Sequence, residues 1–172
     1  MANIKEIKHK LHTRHSGGKA PDNSYRRLIK QAINATLQSE SVDIPCVVSV
    51  LITDDTGIRR YNRNYRNLDK ATDVLSFPMQ TFIHAGWNGR GDLELDDDTG
   101  RLPLGDIVIS AETVNKQAET YGNTIELETA FMIIHSTLHL LGYDHDNKSN
   151  TEKMKSRSEL ILRDIQYLID KG

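Results

Sequence analysis

The chain has 172 residues, 37% of them hydrophobic and 27% charged, a balance that suits one soluble globular domain over residues 1–172 and excludes wholesale disorder. Lys+Arg total 22 against 24 Asp+Glu, for a net charge of −2; no apolar run approaches the roughly 20 residues of a membrane helix, and the N-terminal MANIKEIKHK lacks the apolar centre of a secretory signal. The single cysteine, Cys46, rules out an intramolecular disulfide and an all-cysteine zinc site, and the reading is a cytoplasmic protein with no membrane partner.

The charge is split along the chain. Residues 1–66 carry 12 Lys+Arg and 6 Asp+Glu, whereas residues 67–172 carry 10 and 18. Such a split fits a basic surface that meets an anionic polymer, and equally fits ordinary surface variation. Residues 1–24 are weakly patterned. His9, His12 and His15 lie among Lys and Arg just before Ser16-Gly17-Gly18, and with no rigid element to pre-place them they read as part of a mobile basic arm rather than a metal site.

Leu28, Ile29, Ala32, Ile33 and Leu37 recur at helical spacing and predict an amphipathic helix over 25–38. Pro45 opens CVVSVLIT, a β-branched run expected to be a buried strand. Asp54-Asp55 can cap a helix over 55–66, and TDVLSF (72–77) reads as a short strand closed by Pro78. Glycines and clustered acids between Thr81 and Arg101 predict a surface loop with room for a hairpin, mobile from Gly86 to Arg101. LGDIVIS (104–110) is a further strand. Ser110 can cap a helix over 111–121 that Gly122 ends. Asn123 with Glu126 resembles a capping box for a helix running to Leu141, and a last helix covers about 149–170 with Met154, Leu160, Ile161, Ile165, Leu168 and Ile169 apolar. The expected fold is α+β: one domain, a small mixed sheet packed with helices, and a metal site at the end of a buried helix in the C-terminal half.

That site is HSTLHLLGYDH, residues 135–145. His135 and His139 are i and i+4, so both imidazoles leave one helix face. The flanking AFMII and LL make the helix apolar nearly all round, hence buried, and burial favours the neutral, metal-binding imidazole. Gly142 can turn the chain so that His145 completes three ligands, leaving a fourth position open as in catalytic zinc sites. Asp144 and Asp146 are candidate acceptors for imidazole N–H groups, or simply solvated turn residues. The spacing matches the metzincin pattern HExxHxxGxxH, yet Ser136 stands where those proteases carry their general-base Glu, so the ligand geometry is shared and the peptidase chemistry is not.

The segment resembles the motif HGxLHLxGYDH of the YbeY family of bacterial rRNA maturation factors, described as metal-dependent endoribonucleases, with Ser136 in place of the family's usual Gly. Two further stretches match: Thr72 to Pro78 after the N-x-x-Y-R element Asn62–Arg66, and Leu104 to Ser110. The resemblance implies one zinc ion on His135, His139 and His145, a catalytic Arg66 facing the cleft, and support from Asp73 and Ser76, although Asp73 alone reads as a turn cap. It implies a single-strand-specific, zinc-dependent endoribonuclease acting in 16S rRNA 3′-end processing and late small-subunit assembly. The partners implied are rRNA, small-subunit ribosomal proteins and a ribosome-assembly GTPase. A guanidinium suits such a site because cleavage builds negative charge on phosphate oxygens; no residue stands out as general base. Two alternatives stay open: a non-catalytic assembly factor with a structural metal, and a metal-dependent hydrolase of another substrate.

Overall fold

The computed structural model describes residues 7–89 and 92–169. In chain order the elements are β1 (Lys10–Ser16), α1 (Asn23–Ser39), β2 (Cys46–Thr53), α2 (Asp55–Arg66), β3 (Val74–Pro78), β4 (Leu102–Ser110), α3 (Ala111–Tyr121), α4 (Ile125–Leu140) and α5 (Lys148–Ile169). The four strands form one mixed sheet in the order β1-β2-β4-β3, with β1, β2 and β4 parallel and β3 antiparallel to β4. This is the expected α+β architecture.

Alternate residues of β2 (Cys46, Val48, Val50 and Ile52) turn to one face of the sheet. There they meet Ile29, Ile33 and Leu37 of α1, Ile133, Ile134 and Leu138 of α4, and Met154, Ile161 and Ile165 of α5 in the main core. In β4 the inward residues change parity, from Leu102 and Leu104 to Ile107 and Ile109. The cause is a bulge: Val47 pairs with Pro103 but Val48 with Gly105, so one extra residue enters β4. Gly105 has φ +143°, and a Cβ there would lie 2.2 Å from the Phe77 carbonyl oxygen. The glycine of the LGD motif is therefore a requirement of the close β3–β4 approach. The opposite face carries α2, held by a small cluster of Ile58, Leu75 and Val108 with Tyr61 and Phe77 against it. Burying each such aliphatic side chain contributes about 1.5–3 kcal/mol.

The arm expected over residues 1–24 is corrected for its described part. Residues 10–16 are an edge strand in parallel register with β2, Lys10 opposite Val47 and Ser16 opposite Thr53. Its residues alternate exposed and half-buried, and side-chain bonds fasten it: the Cys46 amide donates to His9 Nδ1, the Thr53 hydroxyl to the Ser16 carbonyl, and the Arg26 guanidinium to the Thr13 carbonyl. His12 and His15 lie on opposite faces of the strand, and neither belongs to the group of potential metal ligands found among the described residues. Residues 1–6 lie outside the described region.

The segment from Met79 to Arg101 contains no strand among its described residues, so they form no hairpin. It is nonetheless tied down. Gln80 donates to the carbonyls of Glu94 and Pro103 and accepts from the Glu94 amide. Trp87 Nε1 donates to Asp43, and Asp96 closes a turn by accepting from the Thr99 amide and hydroxyl. The side chains of Leu168 and Ile169 lie outside the described residues. No described helix is long and apolar enough to cross a membrane.

Candidate metal centre and active site

Helix α4 places the histidines. Thr124, not Asn123, is its N-cap, accepting from the Leu127 amide, while Asn123 instead donates to the Glu128 carboxylate. The helix is buried against both α1 and the sheet, and its last turn closes through the Gly142 amide to His139 O and the Tyr143 amide to Leu138 O. Gly142 adopts φ +86°, where a Cβ would crowd Phe82 at 2.8 Å. That left-handed residue reverses the chain and returns His145 to the helix.

The three imidazoles form a near-equilateral triangle, with ring centroids 4.9 Å (His135–His139), 5.0 Å (His135–His145) and 4.9 Å (His139–His145) apart. One nitrogen from each lies within 4.8 Å of the others, and Nε2 of His135 and His145 are 3.0 Å apart. Three nitrogens each ~2.0–2.1 Å from a tetrahedral ion are separated by roughly 3.3 Å, so the donor set fits a divalent cation. Burial, then the charges of His139 and His145, pulls the His135 pKa down to about 4. His139 is also lowered, by burial first, with Arg66 adding to the effect and the bond to the Tyr143 carbonyl opposing it. Both rings are thus neutral near pH 7. His139 Nδ1 lies 2.7 Å from the Tyr143 carbonyl. The bond requires the ring proton on Nδ1 and leaves the Nε2 lone pair for an ion. This is the one group of three or more potential ligands found among the described residues.

The Tyr143 segment is in turn anchored by a buried ionic network that sequence reading does not reveal. The Tyr143 hydroxyl donates to Glu40 at 3.0 Å, and Arg157 of α5 pairs with the other Glu40 oxygen and reaches the Ser39 carbonyl and hydroxyl. The Glu40 side chain is only 6% exposed. Burial, reinforced by Glu40, lifts the Tyr143 pKa to about 12 and keeps the phenol a donor. Glu40→Ala strands two donors and is expected to cost about 3 kcal/mol of stability, readable as a lower denaturation midpoint in urea.

Asp73 stands just before β3, near enough for its charge to act on His135. It caps the turn: Oδ1 accepts from the Val74 amide and the Thr72 hydroxyl, and Oδ2 from Gln117 of α3. Gln117, absent from the sequence reading, keeps a buried carbonyl oxygen without a partner. Ser76 shares the side of β3 on which Val74 packs into the main core. Of the two roles offered for Asp144, the structure shows the turn residue. It accepts from Asn150 and the Asp146 amide, organising the entry to α5, and makes no hydrogen bond to an imidazole. Asp146 makes none either.

Arg66 occupies the last turn of α2, which Asn67 ends in the left-handed conformation. It is exposed and forms no ion pair with the described residues. Its charge nevertheless acts on His139. Ser136 does not face that cleft. It is fully buried, with a hydroxyl that has no partner. Ser136→Ala is expected to raise stability by about 1 kcal/mol, because it removes an unsatisfied polar group from a helix interior. An unchanged or lower thermal midpoint would show that the hydroxyl is satisfied in solution.

A cavity of about 860 Å³ lies elsewhere, at the carboxyl ends of β1, β2 and β4, bordered by Lys19, Tyr25, Asp54, Glu112 and Glu126. Two of its carboxylates are already committed, Asp54 to capping α2 and Glu112 to the Asp55 amide.

Comparison with known proteins agrees with this geometry. A Clostridium botulinum (Loch Maree) protein named endoribonuclease YbeY is 41% identical over 148 residues, covering 83% of this chain and 89% of the relative. Proteins of the same name from Acetivibrio thermocellus (41% over 139 residues; 80% and 85%) and Heliobacterium modesticaldum (40% over 148; 84% and 87%) are similarly close. The solution structure of a Thermotoga maritima protein shares the fold with a TM-score of 0.55 at 23% identity, covering 94% of this chain and 95% of that one. The family model described as endoribonuclease YbeY matches residues 10–166, a span that takes in the β1 edge strand, Arg66 and all three histidines, and the chain belongs to the YbeY endoribonuclease family.

Proposed function

We propose that this protein is a zinc-dependent endoribonuclease that cleaves single-stranded RNA during 16S rRNA 3′-end maturation and late small-subunit assembly in the cytoplasm. Residues 1–172 act as one domain, alongside small-subunit ribosomal proteins and an assembly GTPase. The observation that carries the reading is the convergence of three imidazoles, two of them half-buried and held neutral, with an exposed arginine whose charge acts on His139. His135, His139 and His145 would hold the ion, and two nitrogen donors only 3.0 Å apart favour a small tetrahedral cation such as zinc. The ion would supply Lewis acidity toward a phosphate oxygen or a nucleophile. Arg66, whose guanidinium can engage two phosphate oxygens at once, orients the scissile phosphate and balances its growing charge. Asp73, held by Gln117, keeps a negative charge near His135 and so steadies the cation-binding cage. Ser136 cannot serve as general base, being buried away from the cleft.

The test is cleavage of a single-stranded oligonucleotide with the 16S 3′-end sequence, and of its duplex, by nuclease-free wild type and by His139→Ala purified identically. Wild type is expected to cut the single strand and the variant to leave it intact. Equal cutting by both would overturn the assignment, and an inactive wild type that still binds the strand would support a non-catalytic assembly factor.

A further inference from the structure

The last two turns of α2 carry an aromatic feature that the metal centre does not use. Tyr61 and Tyr65, at i and i+4, stack with centroids 6.1 Å apart and planes 12° from parallel. Phe77 of β3 meets Tyr65 edge-on at 5.2 Å and 66°. Tyr61 and Phe77 rest on the small core beneath α2, but Tyr65 is 67% exposed. Its ring is held on two sides by aromatic contacts and presented to solvent, with little burial to justify it. It adjoins Arg66 in sequence, and Arg60 and Arg66 on the same helix form no ion pair with the described carboxylates, whereas Arg59 is tied to Asp69, whose carboxyl Arg63 also influences. A braced, exposed ring beside an arginine with no ion pair is the chemistry that receives a nucleobase from a flexible phosphate chain: Arg66 meets the backbone and the ring takes the base face.

We propose that Tyr65, braced by Tyr61 and Phe77, is the stacking platform for an unpaired base next to the phosphate that Arg66 engages. The assignment rests on the endoribonuclease reading. It supplies a physical source for single-strand preference, because a base within a duplex already has both faces covered and cannot stack on the ring. Tyr65 is a binding and positioning residue; it does not touch the reacting atoms.

The experiment measures binding of a fluorescent, uncleavable 2′-O-methyl single strand and of its duplex to metal-replete protein across a salt series, with cleavage kinetics beside it. Tyr65→Ala is expected to weaken single-strand binding roughly tenfold to a hundredfold while leaving the slope of log affinity against log salt in place. Arg63→Ala is expected to flatten that slope by about one phosphate contact. In cleavage, the Tyr65→Ala loss falls on KM more than kcat, and Tyr65→Phe recovers most of it. Tyr121→Ala, which removes a ring of equal 67% exposure on α3, serves as the control and binds as wild type. The platform is overturned if Tyr65→Ala binds the single strand as wild type does, or loses single strand and duplex alike. A wild type that binds but never cuts counts against the nuclease reading, and the binding arm still decides the role of Tyr65.

Discussion

His139→Ala is expected to lose its ion. Three ligands define the cage, and removing one leaves two imidazoles that cannot compete with water for a divalent cation. The drop in affinity should exceed the roughly hundredfold that loss of an outer-shell partner alone can cause. His139 is the informative choice because its tautomer is set from outside, by the bond of its Nδ1 to the Tyr143 carbonyl. Elemental analysis of untagged protein should find close to one zinc per wild-type chain and almost none in the variant. Because His139 is only partly buried, the helix should survive, with far-ultraviolet circular dichroism as the check. A variant that keeps a full equivalent would remove His139 from the site.

Arg66→Ala separates substrate handling from metal binding. A guanidinium has no acceptor lone pair and cannot be a ligand, so the variant should keep both fold and ion. If Arg66 grips the scissile phosphate, its loss should remove about 3–4 kcal/mol of transition-state stabilisation, or roughly a hundred- to a thousandfold in rate. Arg66→Lys should recover only part, since a lysine is a point charge and lacks the two-pronged contact. Arg60→Ala and Arg63→Ala, on the same helix, should mainly weaken binding in a salt-dependent way. Wild-type cleavage by metal-replete Arg66→Ala would take Arg66 out of the site and favour the non-catalytic reading.

Most elements were legible because their local signals agree with their tertiary roles. Asp54 and Ser110 cap α2 and α3 where the sequence suggests, and Gly122 ends α3. The i, i+4 histidines and the glycine turn also sufficed to locate the cage, since ligand spacing on a helix is a local property. What escaped reading was non-local. Strand β1 is built of Lys, His, Thr and Arg, the composition of a protected edge strand, and its pairing with β2 spans 37 residues. The Glu40–Arg157 pair joins helices 117 residues apart, and nothing in either neighbourhood marks it. Thr124 displaced Asn123 as the cap of α4 because Asn123 is drawn to the buried Glu128 carboxylate. The β4 bulge is visible in sequence only as a glycine, and its purpose appears once Phe77 is seen against it.

The most direct test of the account is a metal titration of the stripped wild-type protein. Chelator-treated chain, freed of nuclease contamination, is given zinc in increments while cleavage of single-stranded RNA is followed. Expected is no cleavage without metal and a linear rise that breaks at one equivalent per chain, with Arg66→Ala taking up the same equivalent and staying nearly silent. Cleavage that persists in the stripped protein, or that continues to rise well beyond one equivalent, would contradict a reaction run at the three-histidine centre.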